Sequence, residues 1–290
     1  MIAQSAGNLV FTKMHGLGND FVVLNAITQA IHITPERVRW IADRRFGVGC
    51  DQVLVVEPST EAGVDFRYRI FNADGGEVQQ CGNGARCFAR YVRDEGLTSK
   101  NVITVRTLSG VITLELLDNK EVLVNMGPVR LRPEDVPFTA SKEAVVYTVN
   151  VGGRDVSMTV LSVGNPHAVQ VVEDAEQAMV LVDGPLIERH ARFPQGVNAG
   201  FMQIIDRRTV RLRVYERGSG ETLACGTGAC AAVAAGRLRN LLDERVDVYL
   251  RGGRLTVSWD GRGPIWMQGP VSRVYDGRLS GRGWGYETAK

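Results

Sequence analysis

The chain has 290 residues, of which 44% are hydrophobic and 23% charged, and a formal net charge of +2. That profile suits a globular protein of two ordinary domains and lacks the basic surplus that a nucleic-acid or acidic-membrane partner would require. The longest uncharged apolar run, near Gly226–Gly236, is too short to cross a bilayer. Met1–Gly7 has neither the basic start nor the apolar core of a signal peptide, so a cytoplasmic protein is expected.

In chain order, apolar alternation predicts strands at Phe21–Asn25, Gln52–Glu57, Phe66–Phe71, Val102–Thr107, Val111–Leu116 and Val122–Met126. Helices are expected at Pro35–Arg45, where the proline's missing N–H has no partner in the first turn anyway, and at Ala85–Asp94. Arg86, Arg90 and Arg93 form a stripe on the second helix, so one of its faces should be open. Gly127-Pro128 through Arg132-Pro133 has turn chemistry and is the linker candidate. Beyond it come strands at Val145–Val151, Val156–Val163, Ala168–Val172, Gly200–Ile205, Val210–Tyr215, Val246–Leu250 and Leu255–Trp259, with helices at Leu186–Ala191 and Ala229–Asn240. Ala229–Ala235 is small and apolar all round, the mark of a helix buried on every side. Rossmann alternation is absent. The expected class is α+β, mostly antiparallel sheet wrapped on one long helix per half.

The chain also repeats itself. Arg69–Ala85 laid over Arg213–Ala229 without a gap matches Arg, Gly, Glu, Cys, Gly, Gly and Ala, at an offset of 144 residues (Cys81 to Cys225). Gly18-Asn19-Asp20-Phe21 falls on Gly164-Asn165-Pro166-His167, and Phe46 and Gly49 fall on Phe193 and Gly196. We read two homologous halves related by an approximate two-fold axis.

Each half sets a cysteine in Cys-Gly-x-Gly-Ala just ahead of a helix. The glycines allow close backbone approach. A helix N-terminus offers unpaired N–H groups and a positive dipole end, which attract a carboxylate and favour thiolate over thiol. Burial as a small hydrophobe is the commoner fate of one free cysteine. Two at equivalent places in a duplicated chain point instead to a pair, Cys81 and Cys225, that meet across one cleft, remove a proton from one face of a carbon and return another to the opposite face. Cys50, Cys87 and Cys230 are assigned to packing. The odd cysteine count and the absence of CxxC argue against a secreted disulfide framework, a redox dithiol or a zinc module, and no metal is expected.

Met14–Phe21, Phe71–Glu77, Cys81–Arg86, Gly164–His167, Val197–Phe201, Tyr215–Arg217 and Cys225–Cys230 together resemble the diaminopimelate epimerase family, in order, from about Val10 to Gly269. The resemblance implies an isomerase that interconverts LL- and meso-2,6-diaminopimelate in lysine and cell-wall precursor synthesis without pyridoxal phosphate, with Cys81 and Cys225 as acid and base. It implies substrate contacts from Asn19, Gln52, Asn72, Asn165, Asn198, Glu216 and Arg217, donors from Gly82, Asn83, Gly226 and Thr227, and thiol tuning by His167 and Glu216. It further implies two pseudo-symmetric domains, 1–128 and 129–270, with a C-terminal strand at about 271–283 returning to the first. The active site would lie between them, and the protein would be a homodimer. The residue types fit a substrate with an ammonium and a carboxylate at each end. Asparagines both donate and accept, Arg217 can grip a carboxylate with two bonds, and Glu216 can oppose an ammonium. No lysine among Lys13, Lys100, Lys120, Lys142 and Lys290 stands in a convincing phosphate-loop context, so no cofactor is expected. A proline or hydroxyproline racemase-like enzyme, or a non-catalytic amino-acid-binding protein of the same fold, are the alternatives.

Overall fold

The computed structural model describes residues 9–79 and 81–280. The chain divides into two compact units, one running up to Val122 and resuming at Val271, the other Leu123–Pro270. The first contains β1 (Leu9–Gly16), β2 (Asn19–Asn25), α1 (Pro35–Ala42), β3 (Gln52–Pro58), β4 (Phe66–Asn72), α2 (Gly82–Asp94), β5 (Val102–Thr107) and β6 (Gly110–Leu116), and the last strand of the chain, β17 (Ser272–Leu279), joins it. Its strand order is β17-β1-β2-β3-β4-β5-β6, antiparallel except for the parallel pairs β2–β3 and β4–β5.

The second unit opens with β7 (Val122–Pro128) and a 3₁₀ turn at Pro133–Asp135. There follow β8 (Tyr147–Val151), β9 (Arg154–Ser162), β10 (Pro166–Val171), α3 (Val180–Glu188), β11 (Asn198–Asp206) and β12 (Thr209–Glu216). The short β13 (Gly220–Glu221), α4 (Gly226–Leu238), β14 (Arg245–Leu250), β15 (Gly253–Ser258) and β16 (Pro264–Gly269) complete it. The order β8-β9-β10-β11-β12-β14-β15 reproduces that of the first unit, with parallel pairs again at the third and fifth steps. Register repeats as well. Phe21 lies opposite Gln52, and His167 opposite Asn198. The fold is therefore two-domain α+β with mixed sheets and few helices.

Each sheet is covered on both faces. In β3, Val53 and Val55 join the cluster under α1, with Val22, Leu24, Val38 and Ile41, whereas Leu54 faces α2. Burial on both sides explains why such strands read as unbroken apolar runs. The helices α2 and α4 pack against several strands of their own unit, and Ala229–Gly236 is buried on every side. Gly84 and Gly228 permit that enclosure. A Cβ on Gly84 would stand 2.5 Å from the Tyr68 hydroxyl, and one on Gly228 2.9 Å from Val214. Both helices start three residues earlier than the apolar pattern suggests, because it discounts glycine. Both end on a left-handed residue, Gly96 or Asn240, whose neighbour's N–H bonds back into the last turn.

Some expectations need correction. Arg86 is fully buried, so the stripe it was to form with Arg90 and Arg93 does not open that face of α2. The guanidinium lies where Gly16 leaves room, 3.0 Å from where a Cβ would be. The helix expected at Leu186–Ala191 is Val180–Glu188 and carries Pro185 inside it. Helix α1 stops at Ala42, where Asp43 turns extended. Strands β1 and β16 were not anticipated.

Two matching ion pairs tie the loop before each helix to the sheet: Arg69 with Glu77 (2.8 and 2.7 Å) and Arg213 with Glu221 (2.7 and 2.9 Å). The second is nearly dry, with side chains 9% and 6% exposed, against 24% and 26% for the first. Removing one partner of a dry pair strands the other's charge. Arg251, 46% exposed and 3.3 Å from Glu221, offsets part of that charge, so Arg213→Met should lower the unfolding free energy by about 3 kcal/mol, the low end for a broken buried pair, and Arg69→Met by clearly less. Urea denaturation midpoints compared at unchanged slope check both.

Candidate active site

The expected site residues collect at the same end of each unit's strands. In the first unit, Asn19 opens β2, Gln52 opens β3, Asn72 closes β4 and Cys81 caps α2. The pairing Gln52↔Asn72 across β3 and β4 brings their amides to 2.8 Å, with Gln52 Nε2 donating to Asn72 Oδ1. Gln52 Oε1 is buried without a hydrogen-bond partner among the described residues, an acceptor suited to an ammonium. Cys81 Sγ donates to Asn19 Oδ1 at 3.6 Å, and Asn83 Nδ2 donates to the same oxygen at 3.2 Å. Asn19, Cys81 and Asn83 thus form one polar group beside the first turn of α2, to which Gly82 also belongs.

The second unit reproduces the frame with different side chains. Asn165 precedes β10, Asn198 opens β11, Glu216 closes β12 and Cys225 caps α4. Asn198 Oδ1 accepts the backbone N–H of Arg217 at 2.9 Å, and its Nδ2 donates to Pro166 O at 2.8 Å, so this amide holds the loop through one of its two lone pairs and one of its two N–H groups. The exposed Arg217 donates to Gln195 O at 2.9 Å. Thr222 donates a short hydrogen bond to Glu216. Cys225 Sγ accepts from Gly228 N at 3.3 Å and lies 3.6 Å from Thr227 Oγ1. Gly226 and Thr227 form the first turn of α4.

Electrostatics separate the two cysteines. Cys225 is buried, and burial, followed by the negative charge of Glu216, pushes its thiol well above the usual range, against the pull of Thr227 and Gly228. Cys81 is half-buried. His167 is fully buried. Burial, reinforced by the positive charge of Arg217, pulls its pKa down to about 3, so the ring is neutral. Its Nε2 lies 3.0 Å from Asn165 Oδ1 and has to be the protonated nitrogen there, while Nδ1 is buried without a hydrogen-bond partner among the described residues. Cys50, Cys87 and Cys230 are buried, as packing requires.

Three bracing side chains escaped the sequence reading. Tyr68 donates to Cys81 O at 3.4 Å, but its strand position reads simply as core. Asp51 accepts from Asn19 Nδ2 at 3.0 Å, and nothing in the repeat marks it, since its counterpart is Val197. Thr222 lies in a loop whose shape the sequence does not give. The two Arg–Glu pairs, by contrast, stood out as matches between the halves.

Comparison with known proteins decides the family. The family model described as diaminopimelate epimerase matches residues 11–132 and 159–274. The chain belongs to the diaminopimelate epimerase family. It is 58% identical over 275 residues to a diaminopimelate epimerase of Laribacter hongkongensis, covering 94% of this chain and 99% of that protein. It is 57% identical to one of Nitrosomonas eutropha, covering 93% and 99%. Diaminopimelate epimerases are isomerases, and by that membership so is this chain. Among solved structures, a hydroxyproline epimerase of Agrobacterium vitis with bound trans-4-hydroxy-L-proline superposes with a TM-score of 0.67 at 15% identity, covering 94% of this chain and 92% of that one. A Bacillus anthracis phenazine biosynthesis protein of the PhzF family gives 0.63 at 18%, covering 94% and 99%. Those two share the fold. Among the described residues no helix is long and apolar enough to cross a membrane.

The buried imidazole has a measurable signature. With a folded pKa near 3 against an unfolded value of 6.5, the unfolded chain binds a proton between these values that the native chain does not. Stability is therefore fully present above pH 6.5 and is lost as pH falls toward 3. His167→Gln should remove that component. The stability difference between wild type and variant should change by up to about 1.4 kcal/mol per pH unit across this window. Parallel pH–stability curves would show that the imidazole is not held neutral.

Proposed function

We propose that this chain interconverts LL- and meso-2,6-diaminopimelate without a cofactor, with Cys81 and Cys225 as the two acid/base groups. The observation that carries the reading is the pair of equivalent cysteines, each capping a 13-residue helix at the same point of a repeated topology. The family supports the substrate. Full-length relatives that are 58% and 57% identical bear the name, whereas the likeness to the hydroxyproline epimerase rests on fold alone at 15% identity.

An amino-acid α-proton is a weak acid, and a thiolate removes it quickly only if the developing enediolate is stabilised. The first-turn N–H groups of α2 and α4, at Gly82, Asn83, Gly226 and Thr227, are donors of the right kind. One such donor is worth about 3 kcal/mol against a barrier reduction on the order of 8–23 kcal/mol, so several have to act together. Gln52 and Glu216 offer acceptors for an ammonium. Asn72, Asn165 and Asn198 orient the polar ends, and Arg217 offers a fork for a carboxylate. Inversion needs one thiolate and one thiol reaching the same α-carbon from opposite faces, and the pair shares a proton and titrates as a unit. His167 and Glu216 set the surroundings of Cys225 in this scheme.

Two homologous domains, a homodimer and a cytoplasmic location complete the reading. The dimer is supported by β17, an outer strand of the first unit on which Val274 and Tyr275 are 55% and 45% exposed.

Cys81→Ala and Cys225→Ala should each cost at least about a thousandfold in turnover of LL-diaminopimelate, since general acid–base groups contribute up to about 10⁴. In heavy water the label should enter product and not recovered starting isomer at early times, because separate groups remove and deliver the proton. Near-normal turnover of either variant, or equal early labelling of both isomers, would refute the two-thiol scheme. Optical activity and deuterium content followed with purified protein give both answers.

A further inference from the structure

We propose that Asp51 is a positioning residue for Cys81, holding the Asn19 side chain so that its amide oxygen, and not its NH₂, faces the thiol. This rests on reading Cys81 as one of the acid/base pair. The backbone at Asn19 is already fixed by a two-residue hairpin, with Leu17 and Gly18 both left-handed (φ 58° and 87°) and Gly16 paired with Asn19. What remains is rotation of the amide about its last bond, which exchanges oxygen and nitrogen. The Asn19–Asn83 contact does not decide the matter alone, because two amides can turn together and still be bonded. A carboxylate breaks the tie, being an acceptor only. Asp51 Oδ2 takes Asn19 Nδ2–H at 3.0 Å, which leaves Asn19 Oδ1 toward Cys81 Sγ and Asn83 Nδ2.

Asp51 is itself held. Arg44 donates to Asp51 Oδ1 at 2.7 Å and to both oxygens of Asp20 at 2.8 and 3.1 Å. The backbone N–H groups of Asp20 and Asp51 each donate to the other's carboxylate, at 3.1 and 2.9 Å. Lys13 donates to Asp20 at 2.6 Å and to Gly49 O. Burial raises the Asp20 pKa, but hydrogen bonds from Arg44, Lys13 and the Asp51 backbone outweigh it and hold the carboxyl well below its usual range. Two cations and two carboxylates cancel, so the network acts on Cys81 through the amide's orientation. The second unit has Pro166 and Val197 at the places of Asp20 and Asp51, so no carboxylate stands at those two positions.

An amide oxygen beside sulfur accepts S–H and favours the thiol, whereas a turned amide would donate to sulfur and favour the thiolate. Tyr68 on β4 and Cys87 on α2 are ionisable groups that interact with Cys81, the latter pushed up to about 12 by burial. Arg86 of α2 lies beside Cys87. Both neighbours are neutral at pH 7.5, so they do not mask the effect.

The test is the pH dependence of Cys81 alkylation by iodoacetamide, read by peptide mass spectrometry in a Cys225→Ala background so that the partner thiol does not couple. Asp51→Ala should lower the midpoint by about half a unit, and so speed alkylation at pH 7.5 about threefold. Asp51→Asn, which can still offer an oxygen to Asn19, should leave the midpoint in place. Asn19→Ala, which removes the amide oxygen altogether, should lower it alone and abolish any further effect of Asp51→Ala. An unmoved midpoint in Asp51→Ala or Asn19→Ala overturns the proposal. So does an equal shift in Asp51→Asn, which would assign the effect to charge. Alkylation needs no substrate, so it stands apart from the epimerase reading. A chain with the expected midpoints but no turnover of diaminopimelate would keep the positioning role and lose the reaction.

Discussion

A helix sheathed by its own sheet has to satisfy everything it carries inside the unit, and that requirement shapes both halves of this chain. In α4 it restricts the buried stretch Ala229–Gly236 to alanine, cysteine, valine and glycine. In α2 it forces even an arginine, Arg86, into a place vacated by Gly16. Enclosure leaves the helix N-terminus, where first-turn N–H groups lack intrahelical partners, as the natural meeting point for polar side chains from the strand ends. The cysteines stand there because the cap position is where an enclosed helix first becomes available to anything else.

The shared frame makes the unlike side chains informative. Phe21 and Gln52 in one unit stand where His167 and Asn198 stand in the other. Asn19 is oriented by charges and Asn165 by a neutral imidazole, while the end of β4 carries an amide and the end of β12 a carboxylate. Duplication preserved the backbone and the Arg–Glu ties and let the chemistry around each thiol diverge. The proposed reaction, which would begin with one thiolate and one thiol, calls for such inequality.

Much of this was legible in the sequence because it depends on local pattern. Alternation located most strands, and the self-match from Arg69 and Arg213 onward revealed the duplication and marked the arginines and glutamates that the structure joins as ion pairs. Glycine obscured the helix starts, since its poor intrinsic propensity says nothing of the collision with Tyr68 or Val214 that demands it. Arg86 was misread because a charge at helical spacing ordinarily faces water, and only the third dimension shows the room left by a glycine seventy residues earlier. Helix α3 begins ahead of the span expected for it, and Pro185, of a residue type usually found at a helix start, lies within it. Asp51 acts through a neighbour 32 residues away, a link that no periodicity carries.

The pairing of β17 with β1 has a consequence for how the molecule is made. Residues 272–279 fill, beside β1, the place that β8 fills beside β9, so the sheet of the first unit lacks a strand until residue 279 has left the ribosome. The later-synthesised unit, Leu123–Pro270, is contiguous in sequence and needs no strand from outside that span. Vectorial synthesis is thus partly reversed, with the first segment to emerge among the last to be completed, and its β1 edge stays open to chaperones, or to mispairing, during that interval.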